Sequence, residues 1–136
     1  RLLAGGIVHK MLEAADVERA AAEIAEEGYE AVAVCFLHSY ANVAHEEQAS
    51  QILRQTLGKA YVTASHEIMR EYREYERIST TAVNAYIGPK VSGYVGSLEG
   101  SLRDKGFRGE LSIMQSNGGV MSPEVAVSLG LMKWAL

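Results

Sequence analysis

The sequence is short, nearly half apolar and mildly acidic. Its 136 residues predict one domain, and an apolar content of 48% is enough for one modest core. Thirteen basic against seventeen acidic side chains give a net charge of -4 without any basic run, which argues against a nucleic-acid or membrane-surface partner. A single cysteine excludes an internal disulfide, and neither a signal peptide nor a bilayer-spanning run is evident. We therefore expect a cytoplasmic protein.

The chain opens with a weakly patterned leader that is followed by a predicted helix. Residues 1–15 carry no clear periodicity, whereas the next apolar residues fall on one helical face. Asp16 is a plausible N-cap, and Gly28 stands where a left-handed C-terminal cap is expected. This segment therefore predicts an amphipathic surface helix.

The next segment predicts a strand, a helix and a second strand. Residues 31–37 form an unbroken apolar run, which indicates a strand buried on both faces in the middle of a parallel sheet. Asn42 can cap the following helix, Gly58 can end it, and residues 60–65 predict the second strand. This order is typical of a right-handed crossover unit, so the predicted fold class is α/β.

Two helices are predicted to follow, on either side of Pro89. The first covers about residues 70–88, and the second runs to about Lys105. Proline removes a backbone donor, so we expect a break or a kink at this position, and Pro89 would also suit the first turn of a new helix. The second helix keeps three glycines, each at a cost of roughly 1 kcal/mol, which suggests that another backbone passes close by. The residues predicted to face inward are Tyr75, Ile78, Ala82, Ala85, Tyr86, Val91, Tyr94, Val95, Leu98 and Leu102.

The last part of the chain predicts a strand, a turn and a helix. Residues 111–115 read as the strand, and the turn is Ser-Asn-Gly-Gly at residues 116–119. Ser122 followed by Pro123 is a good helix start. We thus predict a single α/β unit over residues 1–136. It consists of the leader at 1–15, a core of strands and helices at 16–106, and this C-terminal part at 107–136.

The glycine-rich turn is the first candidate binding site. Backbone N–H groups at Ser116, Asn117, Gly118 and Gly119 could cradle an anion, since ligands of open α/β sheets lie at the carboxyl ends of strands. The alternative is a tight turn that only needs positive φ angles. The segment His38, Ser39 and Tyr40 follows the first predicted strand and could bind the same ligand, or could simply satisfy loop backbone groups.

A charged cluster at residues 71–77 is the second candidate. Glu74 could act as a general base, as could His38, and Arg77 could bind a carboxylate or phosphate. The alternative is a solvated helix with ion pairs between Glu74 and Arg77 and between Arg73 and Glu76.

We predict no metal site built by the protein. The four histidines share no metal-ligand spacing, and no cysteine pair occurs. Cys35 lies within the first predicted strand, where an inert core thiol is expected.

Three segments of this sequence resemble one known family, hydantoinase A and 5-oxoprolinase, which includes subunits of acetone and acetophenone carboxylase. They are residues 31–40 (AVAVCFLHSY), residues 73–89 (REYERISTTAVNAYIGP) and residues 109–119 (GELSIMQSNGG). Family members are much longer, so the resemblance implies an internal fragment. It implies part of an actin-like, ribonuclease H-like ATPase lobe, with the Ser116 to Gly119 turn lining the cleft.

The resemblance also implies an activity, which is the ATP-dependent opening of a lactam or hydantoin ring. The full-length parent would then be an oligomer that uses ATP and Mg²⁺ and that can include a hydantoinase B-type subunit. Neither a Walker loop nor the Asp-x-Gly-Gly-Thr phosphate loop of the family occurs here, so the fragment is expected to bind neither cofactor and to be inactive alone. The alternatives are a ketone carboxylase subunit and a non-catalytic scaffold or subunit-interface domain.

Overall fold

A computed structural model describes residues 1–115 and 118–129, and helices alternate with strands along them. The elements, in chain order, are α1 (Ala14–Glu27), β1 (Ala31–Val34), α2 (Ala44–Leu57), β2 (Tyr61–Ala64), α3 (Ser65–Ile68), α4 (Glu74–Asp104), β3 (Ile113–Met114), β4 (Val120–Met121) and α5 (Pro123–Leu129). Within these residues, no helix combines the length and the apolar character that crossing a bilayer requires.

The strands β1 and β2 lie side by side and run parallel, as the crossover pattern predicts. Ala31 pairs with Tyr61 and Val34 with Ala64. The helices α1 and α2 pack against each other beside this pair, and their apolar faces form the core. The buried core residues are Val17, Ala21, Val34, Ala49, Leu53, Val62 and Ala64. The α/β class with parallel strands is confirmed.

The first strand is shorter and less buried than its apolar run predicts. It ends at Val34, Leu37 is 65% exposed, and within the described residues β1 pairs only with β2. The prediction of a strand buried on both faces is wrong. The reason lies at Phe36, whose backbone N–H donates to the Glu46 carboxylate and whose carbonyl accepts from Arg77, so side chains take its strand hydrogen bonds.

The predicted helix ends are confirmed at both glycines, but the predicted N-caps are shifted. Gly28 and Gly58 end α1 and α2 with φ angles of 72° and 56°, where a side chain would be strained. Asp16 lies in the first turn of α1 rather than at its N-cap. Asn42 precedes α2, and its Oδ1 accepts from the Ala44 N–H at 3.0 Å.

The predicted break at Pro89 does not occur, because α4 is one helix of 31 residues. Proline removes a single backbone donor. The helix therefore continues through residue 89, and Ser92 Oγ donates to the Gly88 carbonyl at 2.8 Å in the following turn.

The orientation of α4 is the reverse of the prediction for most of its first half. The buried residues there are Arg77, Thr80, Thr81, Asn84, Ala85 and Gly88, whereas Tyr75 and Tyr86 are 81% and 71% exposed. In the second half Val95 is buried, but Tyr94 is exposed. The predicted close approach at the three glycines is also wrong within the described residues, since nothing lies within 4 Å of a Cβ built at Gly93, Gly96 or Gly100.

The strands β3 and β4 form a separate antiparallel hairpin. Ser122 and Pro123 start α5 as predicted, and Tyr61 donates its hydroxyl to the Val127 carbonyl at 3.1 Å. The hairpin residues Val120 and Met121 line a cavity of about 570 Å³ together with Leu102 and Arg103 of α4. The hairpin therefore packs near the C-terminal end of α4.

One glycine of α4 does require its lack of a side chain. A Cβ at Gly88 would meet Tyr61 Cε1 at 2.2 Å. We expect Gly88→Ala to lower the free energy of unfolding by about 1–3 kcal/mol, because the ring must shift. The matched change Gly93→Ala is expected to raise it by up to about 1 kcal/mol, since that position is open. Urea unfolding of both variants measures the difference, and equal effects would contradict it.

Candidate functional site

A buried carboxylate lies beyond the carboxyl ends of β1 and β2. Glu46, in the first turn of α2, is fully buried, and its Oε2 accepts from the Phe36 N–H at 2.6 Å. Its Oε1 accepts from the His66 N–H at 2.8 Å and lies 2.9 Å from His66 Nδ1. Ser65 Oγ donates to the same carboxylate at 2.8 Å. Backbone N–H groups from the segments that follow β1 and β2 thus donate to the same side chain, Glu46.

Arg77 of α4 completes this cluster and is 1% exposed. Its Nη1 donates to Ser39 Oγ and, at 2.9 Å, to Ser65 Oγ, and its Nη2 donates to the Phe36 carbonyl at 3.0 Å. Nη1 lies 4.0 Å from Glu46 Oε2. Ser65 therefore accepts from the guanidinium and donates to the carboxylate, which links the two charges through a hydroxyl.

The environment of Glu46 favours its ionised form. Burial by itself would raise the pKa of this carboxyl, but the Phe36 and His66 N–H groups, the His66 ring and the Ser65 hydroxyl lower the pKa below its ordinary value. The start of α2 adds the positive end of a helix dipole. Glu46 is consequently an anion buried among its donors, and an ionised carboxylate can only accept from His66 Nδ1 at 2.9 Å.

The cluster fixes the loop in which His38, Ser39 and Tyr40 lie. Ser39 is fully buried and held by Arg77 and Ser65. His38 adopts a φ of 61°, which is rare for a residue with a side chain, and its half-buried ring contacts that of Tyr40. The loop lies at the strand ends where ligands of α/β sheets bind. Ser39 and Arg77 thus support the loop from inside, whereas His38 and Tyr40 are partly accessible.

Four buried polar atoms have no hydrogen-bond partner among the described residues. They are His38 Nδ1, His45 Nε2, Arg77 Nε and Asn84 Oδ1. Asn84 donates to Thr63 Oγ1 at 3.0 Å, so only its oxygen lacks a partner. Unsatisfied polar atoms are costly when buried, and that of Asn84 lies beside β2 rather than at the strand ends.

The glycine-rich turn lies in the other part of the molecule. Ser116 and Asn117 are outside the described residues, whereas Gly118 has a φ of 86° and bonds Gln115, closing the β3–β4 hairpin. This hairpin packs near Leu102, which lies 25 residues beyond Arg77 along α4, about 37 Å at the rise of a helix. The described residues bring His38, Ser39, Tyr40 and Arg77 together, but not with Gly118 or Gly119.

The charged cluster at the start of α4 divides between surface and interior. Arg73 and Glu76 form the predicted exposed ion pair, at 3.6 Å. The predicted pair between Glu74 and Arg77 is wrong, because Arg77 points into the protein while Glu74 stays half exposed in the first helical turn. Glu74 therefore does not share the buried site.

The described residues contain no group of three or more His, Cys, Asp or Glu that could hold a metal ion. Cys35 lies just after β1 and is half buried, and burial raises the pKa of its thiol. The pKa of His45 is lowered, also by burial, which keeps its ring neutral near pH 7. The Cys35 thiol is therefore not activated as a nucleophile.

Sequence reasoning missed Glu46, Ser65 and His66. The run His45-Glu46-Glu47 looks like an ordinary acidic helix start, and nothing in the spacing shows that one glutamate points inward. A usable signal exists in α4, where polar residues recur at helical spacing on the face opposite the tyrosines. They are Arg77, Thr80, Thr81 and Asn84.

Two regions of one family match the sequence. The family described as hydantoinase/oxoprolinase N-terminal region matches residues 1–57, and the family described as hydantoinase/oxoprolinase matches residues 77–130. The first match contains β1 and Glu46, and the second begins at Arg77.

Longer proteins contain similar segments. An uncharacterized protein of Methanocaldococcus jannaschii is 40% identical over 126 residues, which is 93% of this chain and 18% of that protein. Caprolactamase subunit alpha of Pseudomonas jessenii is 32% identical over 88% of this chain and 17% of its own length. The acetophenone carboxylase gamma subunit of Aromatoleum aromaticum is 29% identical over the same shares.

The fold is also similar to a solved structure. The crystal structure of the ATP-dependent caprolactamase from Pseudomonas jessenii matches with a TM-score of 0.82 and 32% identity, over 90% of this chain and 18% of that one. The chain thus spans less than one fifth of these relatives.

The buried carboxylate gives a direct stability test. We expect Glu46→Gln to lower the free energy of unfolding by about 3–5 kcal/mol, because it leaves the Arg77 charge buried without its counterion. Glu47→Gln removes a charge from the exposed neighbouring residue, and we expect less than about 0.5 kcal/mol from it. Urea unfolding at pH 7 compares the two. A small effect at Glu46 would show that the cluster does not stabilise the fold.

Stability should also depend on pH through Glu46. Because its pKa is lowered in the folded protein, its contribution is complete above the unfolded value of about 4.3 and is lost as pH falls through the lower folded pKa. The difference in unfolding free energy between wild type and Glu46→Gln should therefore be constant above about pH 5 and shrink below it. Unfolding curves measured from neutral to acidic pH test this, and a difference independent of pH would refute it.

Proposed function

Because the chain belongs to the hydantoinase/oxoprolinase family, we propose that it is an internal α/β part of an ATP-dependent enzyme that opens a cyclic amide. A lactam or a hydantoin is the substrate class. The observation that carries the proposal is the likeness to caprolactamase in both sequence and fold. The parallel strands and crossover helix would belong to an actin-like ATPase lobe. The longer protein would be cytoplasmic and would form an oligomer with a hydantoinase B-type subunit.

The residues described in this chain do not by themselves fit ATP and Mg²⁺. The Glu46 carboxylate, which could otherwise bind a cation, is occupied by donors from Phe36, Ser65 and His66. The Arg77 guanidinium is enclosed by Ser39, Ser65 and the Phe36 carbonyl. Both cofactors are therefore assigned to other parts of a longer protein, and this chain alone should be inactive.

The proposed role of this chain is to hold the loop after β1 at the edge of the ligand cleft. Glu46 and Arg77 bind the backbone of Phe36 on both its N–H and its carbonyl, which sets where the chain leaves the strand. His38 and Tyr40 follow directly and are partly accessible. His38 carries an imidazole, whose two ring nitrogens can donate and accept hydrogen bonds, so it is the better candidate to contact the amide.

A ketone carboxylase is the second candidate function. The acetophenone carboxylase gamma subunit shares 29% identity over 88% of this chain, close to the 32% of caprolactamase. Nothing in the cluster around Glu46 distinguishes ring opening from carboxylation. A scaffold without catalysis would need no accessible loop at the strand ends, and the loop here holds a strained histidine.

The substrate class can be tested in a longer protein that contains this chain. We expect lactams or hydantoins to stimulate its ATP hydrolysis, with one phosphate released per ring opened. Phosphate release and chromatography of the opened product measure the two rates. Stimulation only by a ketone with bicarbonate would support the carboxylase instead, and no stimulation by either would favour a scaffold.

Two substitutions at His38 separate the effect of its strained backbone from the effect of its ring. In the same longer protein, His38→Gly and His38→Asn should preserve folding, because both residues tolerate a positive φ. Loss of a proton-transferring ring should lower kcat by about 10²-fold or more. His9→Asn makes the same change at an exposed histidine and serves as the control. Unchanged kcat in both His38 variants would exclude a catalytic role for the ring.

A further inference from the structure

A histidine ring is fixed against the buried carboxylate by two separate contacts. Glu46 Oε1 accepts from the backbone N–H of His66 at 2.8 Å and lies 2.9 Å from Nδ1 of the same residue. The side chain of His66 is 8% exposed, and that of Glu46 is fully buried. Because Glu46 holds both the backbone and the ring of His66, the orientation of this ring is set by the carboxylate.

The contact at Nδ1 determines what the other ring nitrogen can do. Because the ionised Glu46 carboxylate can only accept, Nδ1 donates to it, and the neutral ring then has a free lone pair on Nε2. Within the described part of the chain nothing bonds His66 Nε2, and this atom is not one of the four fully buried polar atoms that lack a partner. Nε2 is therefore the ring nitrogen that reaches the surface of the cluster.

His66 lies at the edge of the sheet where ligands of α/β folds bind. It is the second residue after β2, which ends at Ala64. The segment after β2 touches the loop after β1, since Ser65 Oγ and Ser39 Oγ are 3.3 Å apart. His66 follows one of these serines and His38 precedes the other. Both histidines therefore lie beyond the carboxyl ends of the same parallel pair.

We propose that His66 Nε2 is the general base that activates water for the ring opening, with Glu46 as its positioning residue. The inference rests on the proposed function, because it names the base of that reaction. A carboxylate behind an imidazole orients the ring and stabilises the positive charge that the ring gains with a proton. Glu46 suits this role, since the hydrogen bonds that it accepts from Phe36 and Ser65 favour its ionised form.

The proposed proton transfer needs only the amide and one water molecule. His66 Nε2 takes a proton from the water as the water oxygen forms a bond to the amide carbonyl carbon. The carbon–nitrogen bond of the ring then breaks, its electron pair stays on the nitrogen, and the imidazolium returns the proton to that nitrogen. The product carries a carboxylic acid and a free N–H group, and the imidazole is neutral again. The coupling to ATP belongs to other parts of the longer protein.

Two substitutions in a longer protein that contains this chain test the base. The amide nitrogen of His66→Asn can take the place of Nδ1 and still donate to Glu46, whereas the amide of His66→Gln reaches the place of Nε2 and loses that contact. We expect both variants to lower kcat for ring opening by about 10²-fold or more, and to change KM for the lactam by less than about threefold. His9→Asn makes the same change at an exposed histidine and should keep full activity.

The outcomes separate this inference from the proposed function. If His66 only stabilised the fold, His66→Asn would keep the wild-type kcat and His66→Gln alone would lose activity, and that pattern would overturn the proposal. Circular dichroism and thermal unfolding of both variants check that they are folded. A wild-type protein that opens no lactam or hydantoin would instead contradict the proposed function.

Chemical modification of the wild-type longer protein gives a readout that needs no turnover. Diethyl pyrocarbonate attacks an imidazole nitrogen that has a free lone pair, and peptide mass spectrometry locates the adduct. We expect His66 to be modified and a bound lactam to protect it, whereas exposed His9 should react with or without the lactam. His45, whose Nε2 is buried, should stay unmodified. An unreactive His66, or one left unprotected by a lactam that the same preparation opens, would overturn the proposal.

Discussion

The carboxylate of Glu46 is removed from water, and the structure around it depends on how that charge is compensated. A buried ion costs several kcal/mol unless hydrogen bonds and a counterion replace its hydration. Here the replacement comes from Phe36, Ser65, His66 and, through a serine hydroxyl, Arg77. These groups belong to the segments after both strands and to α4. The parallel pair, the loop after it and the long helix are therefore held in one relative position.

This compensation also determines which side of α4 faces inward. Arg77 and Asn84 must reach the ends and the middle of the strands, where Phe36 and Thr63 accept from them. A helix has only one face toward a given sheet, so the apolar residues on its other side are left exposed. The exposure of Tyr75 and Tyr86 is thus a consequence of the buried polar cluster, because the polar face of the helix occupies the interior.

The sequence predicted those parts of the fold that local chemistry decides. The parallel pair follows from apolar runs with a helix between them, and Gly28 and Gly58 end helices because they tolerate a positive φ. The inward face of α4 could not be obtained from apolar periodicity, since burial of Arg77 depends on a carboxylate 31 residues earlier in the chain. The loop with His38 was located correctly because it follows a strand, yet the glutamate that holds it has no local signature.

The position of Pro89 has a mechanical consequence. It divides α4 into a half that packs on β1 and β2 and a half that lies beside the β3–β4 hairpin. The hydrogen bond that residue 89 would donate one turn back cannot form, so bending stiffness is lowest there. The Tyr61 ring lies against Gly88, beside this proline, and its hydroxyl donates to the Val127 carbonyl of α5. Any bending between the two halves of α4 would therefore be centred at Pro89, beside the Tyr61 ring.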